Sequence, residues 1–163
     1  MKKPIFLFVF LVAGVSLAAQ LKTTKVCPAF YVDILDGKVN DVRATDNMAQ
    51  IKEKFPCFTK SESESSTAKC GGGIYYQDKD LYFFTARDYV EIGPKFKGKM
   101  SLPLMGAVRG SLFKWLGHPK IKDVNWDAFT TQYGILILYY NKAKRVYKIQ
   151  FSTKTAETID LCE

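Results

Sequence analysis

The sequence predicts an α+β fold: an antiparallel sheet with short helices packed on one face, built from two tandem helix-then-meander units. Three observations predict it. Both halves of the chain hold strand-length runs rich in Tyr, Phe, Ile and Leu. Each set of runs is preceded by a short segment with apolar residues at helical spacing, and a glycine or proline followed by a polar connector separates the two. The reading competes with one continuous α+β sheet in which the two halves share only their secondary structure.

The first residues, MKKPIFLFVFLVAGVSLAAQ, combine Lys2 and Lys3, an apolar run from Ile5 to Leu17, and small residues Ser16 and Ala18 at the spacing a signal peptidase accepts. Residues 1–19 therefore read as a secretory signal peptide, cleaved after Ala18 or Ala19. The run is shorter than the roughly 20 apolar residues a membrane span needs, so no transmembrane span is expected in the mature form. No cysteine ends it, as a lipoprotein would require. The expected location is periplasmic or secreted.

Removing Lys2 and Lys3 takes 24 basic residues to 22 against 16 acidic ones, a net charge of +6. That balance suits an acidic protein partner or an anionic surface. The basic residues are dispersed, grouping only at Lys95, Lys97 and Lys99 and at Lys142, Lys144, Arg145 and Lys148. Dispersion and export together disfavour nucleic acid.

Residues 20–44 form an N-terminal segment and hairpin, in which Phe30, Val32 and Ile34 alternate with Tyr31, Asp33 and Leu35 before an Asp36-Gly37 turn. The first helix-plus-sheet unit, 45–93, opens with TDNMAQIKEKF. There Thr45 or Asp46 can cap a helix carrying Met48, Ile51 and Phe55 on one face, stopped by Pro56. The glycines 71–73 lack the lysine and helix of a phosphate loop and read as a flexible lead-in to the sheet. IYYQDKDLYFF gives two strands about a turn at Gln77 to Asp80, and Asp88 to Ile92 a third.

The second unit, 94–163, starts with a basic linker from Pro94 to Met100. Leu104, Val108, Leu112 and Trp115 or Leu116 then mark one face of one or two short helices, with Ser101 as cap and Gly117 and Pro119 as stop. Lys120 to Trp126 reads as extended. GILILYY and RVYKIQF form a hairpin, with Tyr147, Ile149 and Phe151 on one face of the last strand and Val146, Lys148 and Gln150 on the other.

Four cysteines, Cys27, Cys57, Cys70 and Cys162, are an even number for an oxidising compartment and allow three pairings. The expected map joins Cys57 to Cys70 across the polar stretch SESESS and Cys27 to Cys162 across the chain ends. The alternative pairs Cys27 with Cys57 and Cys70 with Cys162. Metal binding is not expected, because no Cys-x-x-Cys pair occurs and His118 is the single histidine.

Three features carry a family resemblance: Cys57 and Cys70, LFKWLGHP at Leu112 to Pro119, and LILYYNKAKRVYKIQF at Leu136 to Phe151. Over Thr45 to Ser152 the chain resembles the beta-lactamase-inhibitor-protein-like superfamily, which includes small outer-membrane assembly lipoproteins of the SmpA and OmlA type. The resemblance implies an exported, disulfide-braced module that binds another protein.

No nucleophile, base and orienter stand in a motif, and no cofactor is expected. His118 lies in a helix-ending turn, and the acidic pairs Asp78 with Asp80 and Asp123 with Asp127 read as polar turns, so no catalytic residue is assigned. Nine tyrosines favour recognition instead. The residues placed at a protein-binding face are Tyr75, Tyr82, Phe84, Tyr89, Trp126, Tyr139 and Tyr140. The functional expectation is an inhibitor or immunity-type protein acting on an envelope or toxin protein. The alternatives are an envelope assembly or structural factor and, further off, a small envelope hydrolase or ligand carrier.

Overall fold

The computed structural model describes residues 25–162, so the expected signal peptide lies outside the described residues. The N-terminal hairpin follows from its alternation. Strand β1 (Tyr31–Asp33) pairs with β2 (Lys38–Val39), Val32 opposite Val39, and β2 with β3 (Val42–Arg43). Gly37 turns the chain at φ 63°, and the ring of Tyr133 lies where its Cβ would stand, so only glycine fits.

Helix α1 (Met48–Lys54) is capped by Asn47, one residue beyond the expected Asp46. The Asn47 side chain accepts from the Gln50 amide, and the Gln50 side chain accepts from the Asn47 amide, both at 3.0 Å. This reciprocal box satisfies two amides that the first turn would otherwise leave unpaired. Ile51 and Phe55 then enter the core.

The main sheet is antiparallel throughout. Its strands are β4 (Lys60–Glu62), β5 (Gly73–Tyr76), β6 (Leu81–Phe84) and β7 (Tyr89–Ile92), and, after β8 (Lys99–Met100), β9 (Ile121–Lys122), β10 (Trp126–Thr130), β11 (Ile135–Tyr140) and β12 (Val146–Ser152). The order is β4-β5-β6-β7-β12-β11-β10-β9, and β8 instead joins β1 in parallel to complete a small sheet, β3-β2-β1-β8. Val90 lies opposite both Phe83 and Phe151, so β7 and β12 make the sheet continuous across its centre. One face is packed: Tyr76, Phe83, Ile92, Leu138 and Ile149 meet Ile51 of α1, Phe55 at its C-cap, Val32 of the hairpin and Leu112 in a single core.

Several expectations are corrected. The helix expected across Ser101 to Leu116 is reduced to a 3-10 turn at Arg109–Ser111 and one turn of α-helix, α2 (Phe113–Leu116). Pro103, Gly106 at φ 78° and Gly110 break the run, Val108 is left exposed, and the Ser101 hydroxyl accepts from the Ile34 amide at 2.9 Å instead of capping a helix. The glycines 71–73 are a fixed feature rather than a flexible one: Gly71 and Gly72 have positive φ, and a Cβ on Gly73 would strike the Phe83 carbonyl of β6.

In β12, Tyr139 faces Lys148 while Tyr140 faces Val146, so Tyr147 is the extra residue of a bulge. The bulge returns Val146 to the packed face with Ile149 and Phe151 and leaves Tyr147 outside.

The disulfides are Cys27–Cys57 and Cys70–Cys162, the alternative map, with Cα separations of 5.4 and 5.3 Å. Register explains the reversal. Part of the polar stretch forms the edge strand β4, with Lys60 opposite Tyr75 and Glu62 opposite Gly73. Extended outward, this pairing carries Cys57 toward Asp78, with which it lines one hollow, while Cys70 stays at the far end before Gly73. Cys57 and Cys70 thus stand apart by several residues of strand at about 3.3 Å each, beyond disulfide reach.

Candidate functional site

The second face of the sheet is built by the same register. Tyr75, Tyr82, Glu91, Gln150, Ile137 and Ala128 form one row across six strands. Phe84, Tyr89, Ser152 and Ile135 form the next.

Half of this face is covered. The segment after β12, residues 153–162, lies across it as a strap, with Ala156, Ile159 and Leu161 against Ala128, Ile135 and Ile137. Arg87 Nη1 donates to Asp160 Oδ1 at 3.1 Å and to the Leu161 carbonyl at 2.9 Å. The Cys162 amide donates to the Tyr89 hydroxyl at 3.3 Å, and the Cys70–Cys162 bond fastens the end.

The uncovered half holds a shallow groove of about 350 Å³ whose floor is aromatic. Tyr75 lies 6.2 Å from Tyr82 and 5.7 Å from Phe84 between ring centroids, and Phe84 stacks at 4.5 Å on the buried Tyr89. Polar groups fix the rings. Tyr75 donates to Glu62 Oε2 at 3.3 Å and Tyr82 to Asp80 Oδ1 at 3.1 Å. Burial pushes the Tyr75 phenol up to about 12, with the Glu62 charge and hydrogen bond adding to the shift. Burial and the Asp80 carboxylate raise Tyr82 likewise. Both hydroxyls therefore remain neutral donors at physiological pH.

Beside them runs a relay of charged and amide groups. Tyr139 donates to Gln150 Oε1 at 2.8 Å, Gln150 Nε2 donates to Glu91 Oε2 at 2.6 Å, and Lys148 lies 3.4 Å from the same carboxylate oxygen and over the Tyr139 ring. The site is thus an apolar floor with an ordered polar rim, the composition of a recognition surface.

Of the aromatics placed at this face from sequence, Tyr75, Tyr82 and Phe84 come together in the groove, Tyr75 buried and Tyr82 and Phe84 half-buried. Tyr89 lies on the same face and is buried beneath Phe84. Trp126 and Tyr139 are half-buried and pack with the strap's apolar patch. Tyr140 is a correction: it lies on the packed face, buried, and donates to Asp127 Oδ2 at 2.8 Å. Sequence reasoning missed Glu91 and Gln150 as members of the site. Their signal is period 2 from Tyr89 and Ser152, which a search for aromatic residues passes over.

Asp127 is also corrected. It is no turn residue but a buried member of β10, held by Arg109 from the 3-10 turn, whose Nε donates to Oδ2 at 2.9 Å and whose Nη2 meets Oδ1. Asp80 stays in a turn, where it also accepts from the Lys95 amide at 2.7 Å. His118 is exposed, its ring 4.6 Å from that of Phe113.

Among the described residues, no group of three or more His, Cys, Asp or Glu could hold a metal ion, and no helix is long and apolar enough to cross a membrane. No protein-family model matches the chain, and no curated protein or solved structure is significantly similar to it.

Proposed function

We propose that this chain is an exported protein-binding module of inhibitor or immunity type, which meets its partner with the uncovered half of the open sheet face. The observation that carries the reading is the aromatic floor of Tyr75, Tyr82 and Phe84 held by Glu62 and Asp80. Rigid tyrosines supply apolar contact area at small entropic cost, and their hydroxyls supply direction. Two disulfides brace the scaffold in the way an oxidising periplasmic or extracellular setting favours.

The same reading takes the two strand sets, β4–β7 and β9–β12, as degenerate tandem units like those of the beta-lactamase-inhibitor-protein-like superfamily, although Cys57 and Cys70, one of the features that carried that likeness, are bonded to Cys27 and Cys162 and not to each other. Support comes from their meeting through β7 and β12 and from a short helix ahead of each.

The test is capture of a stoichiometric partner from an envelope extract by the disulfide-intact protein, repeated with Tyr82→Ala and Phe84→Ala together. Recovery by the native protein and at least tenfold loss in the variant is expected. Absence of any stoichiometric protein, or capture indifferent to both changes, would overturn the proposal. A weakened envelope after gene deletion, with no captured protein, would point instead to an assembly factor.

A further inference from the structure

A second surface lies on the opposite side of the sheet, at the edge where α2 faces β9 and β10. There a groove of about 560 Å³ has Leu112 and Phe129 at its floor and Val108, Phe113 and Lys122 among its walls. Eight large apolar residues are exposed among the described residues; Val108 and Phe113, the latter at 58% exposure, line this groove, and Val124, at 69%, lies in the adjoining turn whose carbonyl accepts from Arg109 and Lys144. Apolar side chains left exposed around one hollow are the mark of an interaction site rather than of scattered surface.

The charge at this corner is one-sided. Lys122 of β9 and Lys144 of the β11–β12 turn line the groove. That turn is fixed beside the groove, because the Arg109 amide donates to the Lys144 carbonyl at 2.9 Å and Lys144 Nζ donates to the Val124 carbonyl at 2.9 Å. Two carboxylates stand against them along these segments, Asp123 and Asp127, and Asp127 is already occupied by Arg109.

We propose that this groove is a docking site for an acidic segment of another protein that inserts one large apolar side chain. Three features choose this occupant. Val108 and Phe113 wall a hollow, which a side chain can fill and a bilayer surface cannot enter. The guanidinium of Arg109 is committed to Asp127 and to the carbonyls of Asp123 and Val124, so no planar fork is free to grip a single small carboxylate. What remains at the rim is the pair Lys122 and Lys144, point charges that attract acidic residues through their field. The site is separate from the open-face groove, and its failure leaves that reading untouched.

The experiment is selection from a random twelve-residue peptide display library on the disulfide-intact protein. Synthesised winners are then titrated against native protein, Lys122→Glu and Phe113→Ser; both positions are exposed, so the fold is kept. The expected winners are acidic, carry Phe, Trp or Leu, lose at least tenfold in affinity with either variant, and weaken as salt rises. Neutral or basic winners, or binding unchanged by both variants, would overturn the proposal. So would co-sedimentation with anionic phosphatidylglycerol vesicles without acidic winners, which would make the corner a membrane contact.

Discussion

Arg109 and Asp127, separated by 18 residues in sequence, form a two-pronged ion pair whose acidic side chain retains only 4% of its exposure. Tyr140 donates to the same carboxylate, and the Arg109 guanidinium lies over the Tyr140 ring at 4.8 Å, so three elements are joined at one buried charge. Removing Arg109 leaves the Asp127 charge in the interior, whereas removing Asp127 leaves a partly exposed guanidinium still held by two carbonyls. Arg109→Met should lower stability by about 3–5 kcal/mol, and Asp127→Leu by less. The double variant should recover much of that loss, because it removes both charges. Urea unfolding of the four proteins gives the coupling directly.

Alkaline pH should unfold the protein in a late and cooperative step. Tyr75 is raised to about 12, and Tyr76, Tyr89, Tyr133 and Tyr140 are raised as well, with burial the largest cause in each. In the unfolded chain a tyrosine ionises near 10. Between that pH and the raised native value the unfolded state binds fewer protons, so stability is whole below pH 10 and falls as pH rises above it. Absorbance at 295 nm should show these phenols ionising together with the loss of circular dichroism. Ionisation of the buried phenols well before unfolding would contradict the packing described.

Non-reducing peptide mapping should return Cys27 with Cys57 and Cys70 with Cys162. The paired cysteines are 30 and 92 residues apart, so loop entropy assigns them about 3.5 and about 4.5 kcal/mol. Replacing Cys70 and Cys162 by serine should therefore cost more, and should also free the strap and raise solvent access to Trp126, readable as faster acrylamide quenching.

Gly73→Ala should be among the most damaging small changes, because its Cβ points at the backbone carbonyl of Phe83 in the neighbouring strand. A loss of about 3 kcal/mol or more is expected in thermal unfolding. Gly110→Ala, with open space around its Cβ position, is the control and should be nearly neutral.

The strands most legible in sequence were those with long apolar alternation. Tyr89–Ile92, Ile135–Tyr140 and Val146–Ser152 stand within a residue of their expected bounds. Trp126–Thr130 was hidden because Asp127, its buried charge, reads as a turn residue until Arg109 is known to face it. Face assignment failed for two reasons: the Tyr147 bulge moves Val146 to the core, and the regular alternation of β11 puts Tyr140 on the packed face with Leu136 and Leu138. In the recognition site, Tyr75, Tyr82 and Phe84 were legible from composition and period. The strap over Ile137 was not, because residues 153–162 carry no periodic signal and owe their place to a disulfide 92 residues long in sequence.

The order of the bridges has a topological consequence. Each closes its own circuit of chain, Cys27 to Cys57 and Cys70 to Cys162, and the two circuits follow one another without overlap. The exposed residues Ser63 to Thr67 lie in the short span between them. A single protease cut there would leave no covalent bond across the break. The two pieces would then be held without a covalent link, by the β4–β5 ladder, the parallel β1–β8 contact, the shared core and side-chain hydrogen bonds such as Tyr76 to the Phe55 carbonyl. Such a nicked molecule would be a complementing pair, able to part in denaturant with both disulfides intact and to reassemble when it is removed.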